Sequence, residues 1–269
     1  MWRKINKTIN SIQITSDLHL EHRTHHISDI SKFLIPSAQT LAILGDLGNP
    51  FNHNFKHFLS ECSKAYDTII YVSGNHEYYN TQPMDDIDDK IKTVVSEFSN
   101  VHYLNNNSIQ FNNIRVLGTT LWSKIPSDIP NIHNISNDYN HINIKDEYGF
   151  VNKLNSHYVN HMHKQNVRFL ESHLYKHAED VPIIVITHHM PTYKCIVKKY
   201  QHYKHPYLFA SHLDYMMKYD NSKIVYWLCG HTHSPVHIKI GQCQCITNPY
   251  GYKDVNNLYN KQCVIDIME

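Results

Sequence analysis

The stretch Ile12-Gln13-Ile14-Thr15-Ser16-Asp17-Leu18-His19 runs from apolar, β-branched residues directly into a carboxylate and an imidazole. The pattern over residues 9–15 predicts a strand, and the polar pair stands at its carboxyl end. The same pattern returns along the chain. Residues 41–44 lead into Gly45-Asp46, 68–72 into Gly74-Asn75-His76, 183–186 into Thr187-His188-His189, and 224–229 into Gly230-His231-Thr232-His233. Between several of these runs the spacing turns helical: residues 51–66 repeat Phe51, Phe55, Phe58 and Leu59, and helices are expected over 84–98 and 151–177. Strands alternating with helices predict parallel βαβ units, whose ligands gather outside the carboxyl ends of the strands.

The remaining segments are read more simply. Residues 108–112 and 114–121 predict a hairpin around Asn112-Asn113, residues 123–150 are irregular and polar, and 236–240, 243–247 and 263–267 read as three antiparallel strands. With no repeat, no low-complexity tract and no break in composition, residues 1–269 are expected to form one domain.

Composition narrows the function classes. Lys plus Arg is 25 and Asp plus Glu is 24, so the net charge of +1 argues against a broadly basic nucleic-acid binder, and no stable nucleic-acid complex is expected. Hydrophobic residues at 41% and aromatics at 12% exclude a disordered chain. The opening Met1-Trp2-Arg3-Lys4-Ile5 has no signal-peptide core and no later run is long enough to span a membrane, so a cytoplasmic protein is expected. The six cysteines have no CxxC spacing and suit buried free thiols in a reducing compartment. Histidine is abundant at 23, so the i, i+4 pairs among His157, His161, His173 and His177 reflect composition before any zinc site.

The strand ends carry the chemistry. Residues i and i+2 of an extended segment project to the same side, so Asp17 with His19, and His231 with His233, are expected to face one cleft. Two carboxylates, an amide oxygen and several imidazoles form a hard-to-borderline donor set that suits Mn, Fe, Zn or Ni better than Ca or Cu(I).

The blocks Ser16-Asp17-Leu18-His19, Gly45-Asp46, Gly74-Asn75-His76-Glu77, Thr187-His188-His189 and Gly230-His231-Thr232-His233, in that order, resemble the calcineurin-like metallophosphoesterases over residues 9–252. Gly118-Thr119-Thr120-Leu121-Trp122, Asn137-Asp138-Tyr139 and Asn248-Pro249-Tyr250-Gly251-Tyr252 are similar to a bacterial-type branch of that family. The resemblance implies an α/β fold: a four-layer α/β/β/α sandwich, two mixed β-sheets face to face with helices outside and a dimetal site at the strand ends. It also implies two divalent metal ions, Mn²⁺ first with Fe, Zn or Ni also compatible. One would be held by Asp17, His19, Asp46 and His233, the other by Asp46, Asn75, His188 and His231, with Asp46 bridging. A bridging hydroxide would attack phosphorus, and His76 would protonate the leaving oxygen, a role that suits a group titrating near neutrality.

One position departs from the pattern. Many relatives carry a second aspartate three residues after the bridging one, orienting the catalytic histidine, whereas this chain has Asn49; Glu77 is the candidate replacement. His189 is expected to orient His188 or touch substrate. The Lys/Tyr-interleaved residues 190–207, with Tyr193 and Lys194 at the start, suggest a lid that attracts phosphate and stacks on a base, and Trp122, Tyr139, Tyr250 and Tyr252 are candidates for the pocket wall. The expected function is therefore hydrolysis of a small phosphoester, with a nucleotide-type phosphodiester preferred over a monoester or phosphoprotein. A noncatalytic scaffold is the rival, disfavoured because every ligand position and His76 are present. The sequence leaves the oligomeric state open.

Overall fold

The computed structural model describes residues 3–23, 27, 29–126, 129–175, 181–219, 222–252 and 256–267. Its first half forms β1 (Arg3–Lys4), β2 (Ser11–Thr15), β3 (Thr40–Leu44), α1 (His53–Ala65), β4 (Thr68–Val72), α2 (Met84–Val95), β5 (Val101–Tyr103), β6 (Asn107–Gln110) and β7 (Arg115–Thr119). The second half forms α3 (Asp138–His141), β8 (Asn143–Lys145), β9 (Val151–Lys153), α4 (Ser156–Tyr175), β10 (Ile183–Thr187), α5 (Asp214–Lys218), β11 (Ile224–Cys229), β12 (Val236–Ile240), β13 (Cys243–Thr247) and β14 (Val264–Asp266).

Among the described residues the strands build two large sheets, ordered β14-β2-β3-β4-β5 and β1-β6-β7-β10-β11-β13-β12, plus the small pair β8-β9. The central strands are parallel within each sheet, so β2, β3 and β4 end on one side, as do β10 and β11. Alternate side chains divide the core. Ile12, Ile14, Ala42, Leu44, Ile70 and Val72 of the first sheet meet Val116, Ile184, Ile186, Leu228 and Ile246 of the second. The opposite face of the first sheet, with Leu41, Ile43, Ile69 and Tyr71, is covered by Phe55, Phe58, Leu59, Ile87 and Ile91 of α1 and α2. Leu117, Ile183, Val185 and Trp227 on the outer face of the second meet Leu170 of α4 and Met216 and Met217 of α5. Both faces of each sheet are buried, which is why the strands read as near-continuous apolar runs. The result is the expected four-layer α/β/β/α sandwich.

Three expectations are corrected. The tail does not form one antiparallel sheet: β13 pairs parallel with β11 and antiparallel with β12, while β14 crosses to β2 of the other sheet. The long helix begins at Ser156, because Asn155 accepts from the Tyr158 amide at 2.9 Å and caps it, and residues 151–153 pair with β8 instead. Residues 123–150 contain α3 and β8. The predicted 176–177 at the end of the long helix lie outside the described residues. All six cysteines are free, five of them buried.

Candidate metal centre

The strands stop and the chain turns sharply where the polar blocks begin. Asp17, His19, Asp46, His231 and His233 all have left-handed backbone, with φ of 56°, 48°, 51°, 74° and 48°. Such conformations cost of order 1–3 kcal/mol each away from glycine and cluster at functional sites. The convergence of Asp17 with His19 and of His231 with His233 therefore comes from consecutive left-handed turns, not from the pleat of an extended segment.

These turns bring seven side chains from both sheets to one place. Donor atoms of Asp17, His19, Asp46 and His233 lie within 4.8 Å of one another, and so do those of Asp46, His188 and His231. His19 Nε2 is 2.9 Å from His233 Nε2 and 3.7 Å from Asp46 Oδ2, and His233 Nε2 is 3.3 Å from Asp17 Oδ1. On the other side, His188 Nε2 is 3.3 Å from Asp46 Oδ2 and 3.1 Å from Asn75 Oδ1. Asp46 belongs to both groups. Buried acceptors facing one another are costly unless a proton or a cation sits between them, so the donor set fits divalent metal ions.

The electrostatics agree. Burial works against ionisation of Asp46, yet His188 and His76 outweigh it and hold its carboxyl well below the usual range. Burial disfavours charge on His188, and the Asp46 carboxylate overrides it to push the ring up to about 10. Protons thus stand in for cations, and metal uptake has to displace them.

Neighbouring groups aim the donors. His188 Nδ1 donates to the Leu44 carbonyl at 2.9 Å, which turns Nε2 inward. Asn75 Nδ2 donates to Asp138 Oδ1 at 2.7 Å, which turns Oδ1 inward. Gly74 leaves room for the shared carboxylate: a Cβ there would stand 2.1 Å from Asp46 Oδ1.

Beside the donor cluster, His76 stacks on Tyr79 with ring centroids 4.1 Å apart. Its Nδ1 is 3.2 Å from Glu21 Oε1 and its Nε2 is 3.0 Å from the Tyr252 hydroxyl. Burial opposes charge on this ring, but Asp46 and Glu21 hold it up to about 9. A cavity of about 470 Å³ opens here, bounded by Asp46, Asn75, His76, His231 and His233 at its floor and by Tyr79, Lys199, Tyr200, Tyr203, Phe209 and Tyr252 on its walls.

The other sequence candidates sit elsewhere. Asn49 Oδ1 accepts from the Phe51 amide and from Asn80 Nδ2 and faces a separate shallow cleft. Glu77 is buried under the site, accepting from the amides of Asp46, Leu47 and Gly74 and from the Tyr71 hydroxyl. It braces two turns and makes no bond to His76. His189 is buried between Trp122 and His231, and burial first, then the charge on His188, presses its pKa down to about 3. Trp122 and Tyr139 are core residues. Lys194 pairs with Asp214 and Tyr193 stacks on His212, so neither lines the cavity; from the same loop Lys199, Tyr200 and Tyr203 do. On the long helix His161 bonds Gln165 and His163 bonds the Trp122 carbonyl, and no metal-binding group forms there among the described residues. Sequence reasoning missed Glu21, although an acid two residues after the candidate ligand His19, just past the first block, was the available signal.

Two mixed sheets that deliver carboxylates and imidazoles to one edge define a metallophosphoesterase scaffold. The chain belongs to the calcineurin-like phosphoesterase family, whose model matches residues 11–235. It is similar to the uncharacterized protein L509 of Acanthamoeba polyphaga mimivirus, 33% identical over 244 residues that cover 84% of this chain and 83% of that protein. Among solved structures it resembles phosphopantetheinyl hydrolase from Mycobacterium tuberculosis, with a TM-score of 0.63 at 17% identity, covering 91% of this chain and 90% of that one. At that identity the likeness concerns the fold. No helix among the described residues is long and apolar enough to cross a membrane.

Proposed function

We propose that this protein is a dinuclear metal-dependent phosphodiesterase acting on a small nucleotide-type substrate, with Asp17, His19, Asp46 and His233 holding one cation and Asp46, Asn75, His188 and His231 the other. Mn²⁺ is the expected ion, with Fe, Zn or Ni compatible with the donors. The carrying observation is the cavity of about 470 Å³ that joins the donor cluster and His76 to a wall of Tyr79, Tyr200, Tyr203 and Phe209. Its size suits a small ligand rather than a protein surface. Tyrosine and phenylalanine faces accept a planar base, and Lys199, whose Nζ sits 4.6 Å from the Tyr200 ring centroid, adds a positive charge.

When bound, the cations supply charge neutralisation on the phosphoryl group and acidify water. The protein's own groups do the rest. His76 Nε2 points into the cavity, and the Tyr252 hydroxyl 3.0 Å away marks where a leaving oxygen accepts its proton. Stacking on Tyr79 keeps that ring in plane.

The test is hydrolysis of bis(p-nitrophenyl) phosphate and of p-nitrophenyl phosphate by metal-stripped protein with Mn²⁺ restored, beside His76→Ala. The expected result is faster turnover of the diester and, in His76→Ala with the metals retained, a loss of about 10²–10⁴ for unactivated phenyl esters that is smaller for the p-nitrophenyl ester, whose departure needs little acid. A nucleotide screen follows, in which Tyr203→Ala raises KM for base-containing substrates and leaves a diester without an aromatic ring, such as glycerophosphocholine, unchanged. No turnover above the metal-free protein with any of the four metals overturns the enzymatic reading and favours a scaffold.

A further inference from the structure

We propose that Glu21 is the positioning residue for His76, supplying from the first block the carboxylate that position 49 lacks; this rests on the reading of His76 as the leaving-group acid. The other candidate side chains are engaged elsewhere. Asn49 Oδ1 is taken by the Phe51 amide and Asn80, Glu77 by three backbone amides and Tyr71, and Asp138 by Asn75 and Tyr79. Glu21 is the acid that meets the imidazole itself, with Oε1 3.2 Å from His76 Nδ1.

The same oxygen lies 3.2 Å from Nδ1 of His19. An N–H on each Nδ1 donating to one carboxylate oxygen fixes both tautomers. His19 then directs Nε2 to the donor cluster, and His76 directs Nε2 to the cavity. One residue therefore aligns the proposed acid with the proposed metal site. The backbone accounts for its reach: left-handed His19 precedes a single 3-10 turn over Leu20–His22, which folds Glu21 back over the site. Gly48 makes the space, since a Cβ there would stand 2.9 Å from Glu21 Oε2. The block that carries asparagine at position 49 thus carries beside it the glycine that admits Glu21.

The experiment compares Glu21→Gln, which keeps an acceptor without the charge, and Glu21→Ala, which removes both, in the wild-type and His76→Ala backgrounds. Metal content is measured by mass spectrometry, and aryl phosphodiesters are varied in leaving-group pKa. Expected in Glu21→Ala, with Mn²⁺ held at saturating concentration because His19 also loses its partner, are two metals per chain, unchanged KM, and a kcat loss of about 10²-fold for phenyl esters that shrinks to a few-fold for dinitrophenyl esters, whose departure needs no acid. Glu21→Gln is expected between the two. In the His76→Ala background neither substitution changes kcat further. In metal-free protein a downfield Nδ1 proton that disappears in His76→Ala is expected to disappear in Glu21→Ala also. An equal kcat loss for all leaving groups, a loss that persists without His76, or a retained Nδ1 proton overturns the proposal. So does loss of a metal at saturating Mn²⁺, including a third ion held by His19, Glu21, His22 and His76, whose donor atoms also lie within 4.8 Å of one another. An inactive wild type strikes the phosphoesterase reading instead, and the Nδ1 proton still decides the Glu21 bond.

Discussion

Asp138 accepts a 2.7 Å hydrogen bond from the amide nitrogen of Asn75, and that bond decides which end of the amide faces the donor cluster. The oxygen is thereby left 3.1 Å from His188 Nε2. Partners of this kind are worth about 10–100-fold in metal affinity. Asp138→Ala is expected to weaken binding of the cation proposed at Asp46, Asn75, His188 and His231 by that factor, read by competition with a chelating dye, while the one proposed at Asp17, His19, Asp46 and His233 stays bound. A variant that binds both cations as tightly as wild type would sink the assignment.

Protons and cations compete at Asp46. With His188 held up to about 10, that imidazole is protonated at neutral pH in the metal-free protein, and its Nε2 must be freed for a metal. Metal uptake should therefore release at least one proton per chain, and apparent affinity should fall about tenfold for each displaced proton per pH unit on acidification. Calorimetry of Mn²⁺ binding in two buffers of different ionisation enthalpy measures the release, and a value of zero contradicts it.

Gly74 has no room for a side chain. A Cβ at this position would meet Asp46 Oδ1 at 2.1 Å and the Asp46 amide nitrogen at 2.6 Å, both rigid parts of the site. Gly74→Ala is expected to cost about 1–3 kcal/mol of stability and to abolish binding of both metals. Denaturant unfolding and metal analysis together check it; a variant that binds metal normally would show that the turn can shift.

His102 links stability to pH away from the site. Burial first, and the Arg3 guanidinium 3.3 Å from Nδ1 second, press its pKa from 6.5 to about 4. The unfolded chain binds more protons between those values, so stability is intact above about pH 6.5 and falls as pH drops through that window. Allowing for solvent near the edge strand, wild type should lose about 1 kcal/mol more than His102→Asn between pH 7 and pH 5. Urea unfolding at the two pH values measures the difference.

Local pattern carried the parallel βαβ units and the position of the cluster, through apolar runs long enough for buried strands, helical spacing between them and a polar block after each run, whereas the four-layer sandwich came from the resemblance those blocks carry. It misjudged β14, whose apolar alternation is the same whichever edge it joins; the choice of β2 was made by pairing 250 residues apart, Ile265 against Ile12. It read Asp17 and His19 as neighbours through strand pleat, whereas left-handed turns bring them together. It offered Lys194 and Tyr193, yet Asp214 and His212 hold those side chains away and leave Lys199 and Tyr203 on the cavity.

What the sequence determined by itself was the set of donors and the order in which strands deliver them, since each block is encoded within a few residues of its strand. Only the tertiary structure decided how the donors are aimed. That Asn75 turns its oxygen inward depends on Asp138, 63 residues away, and that His76 faces a carboxylate depends on Glu21, 55 residues away. Orientation is set by hydrogen bonds across the fold, and a local pattern carries no information about a partner that only folding brings within hydrogen-bond reach.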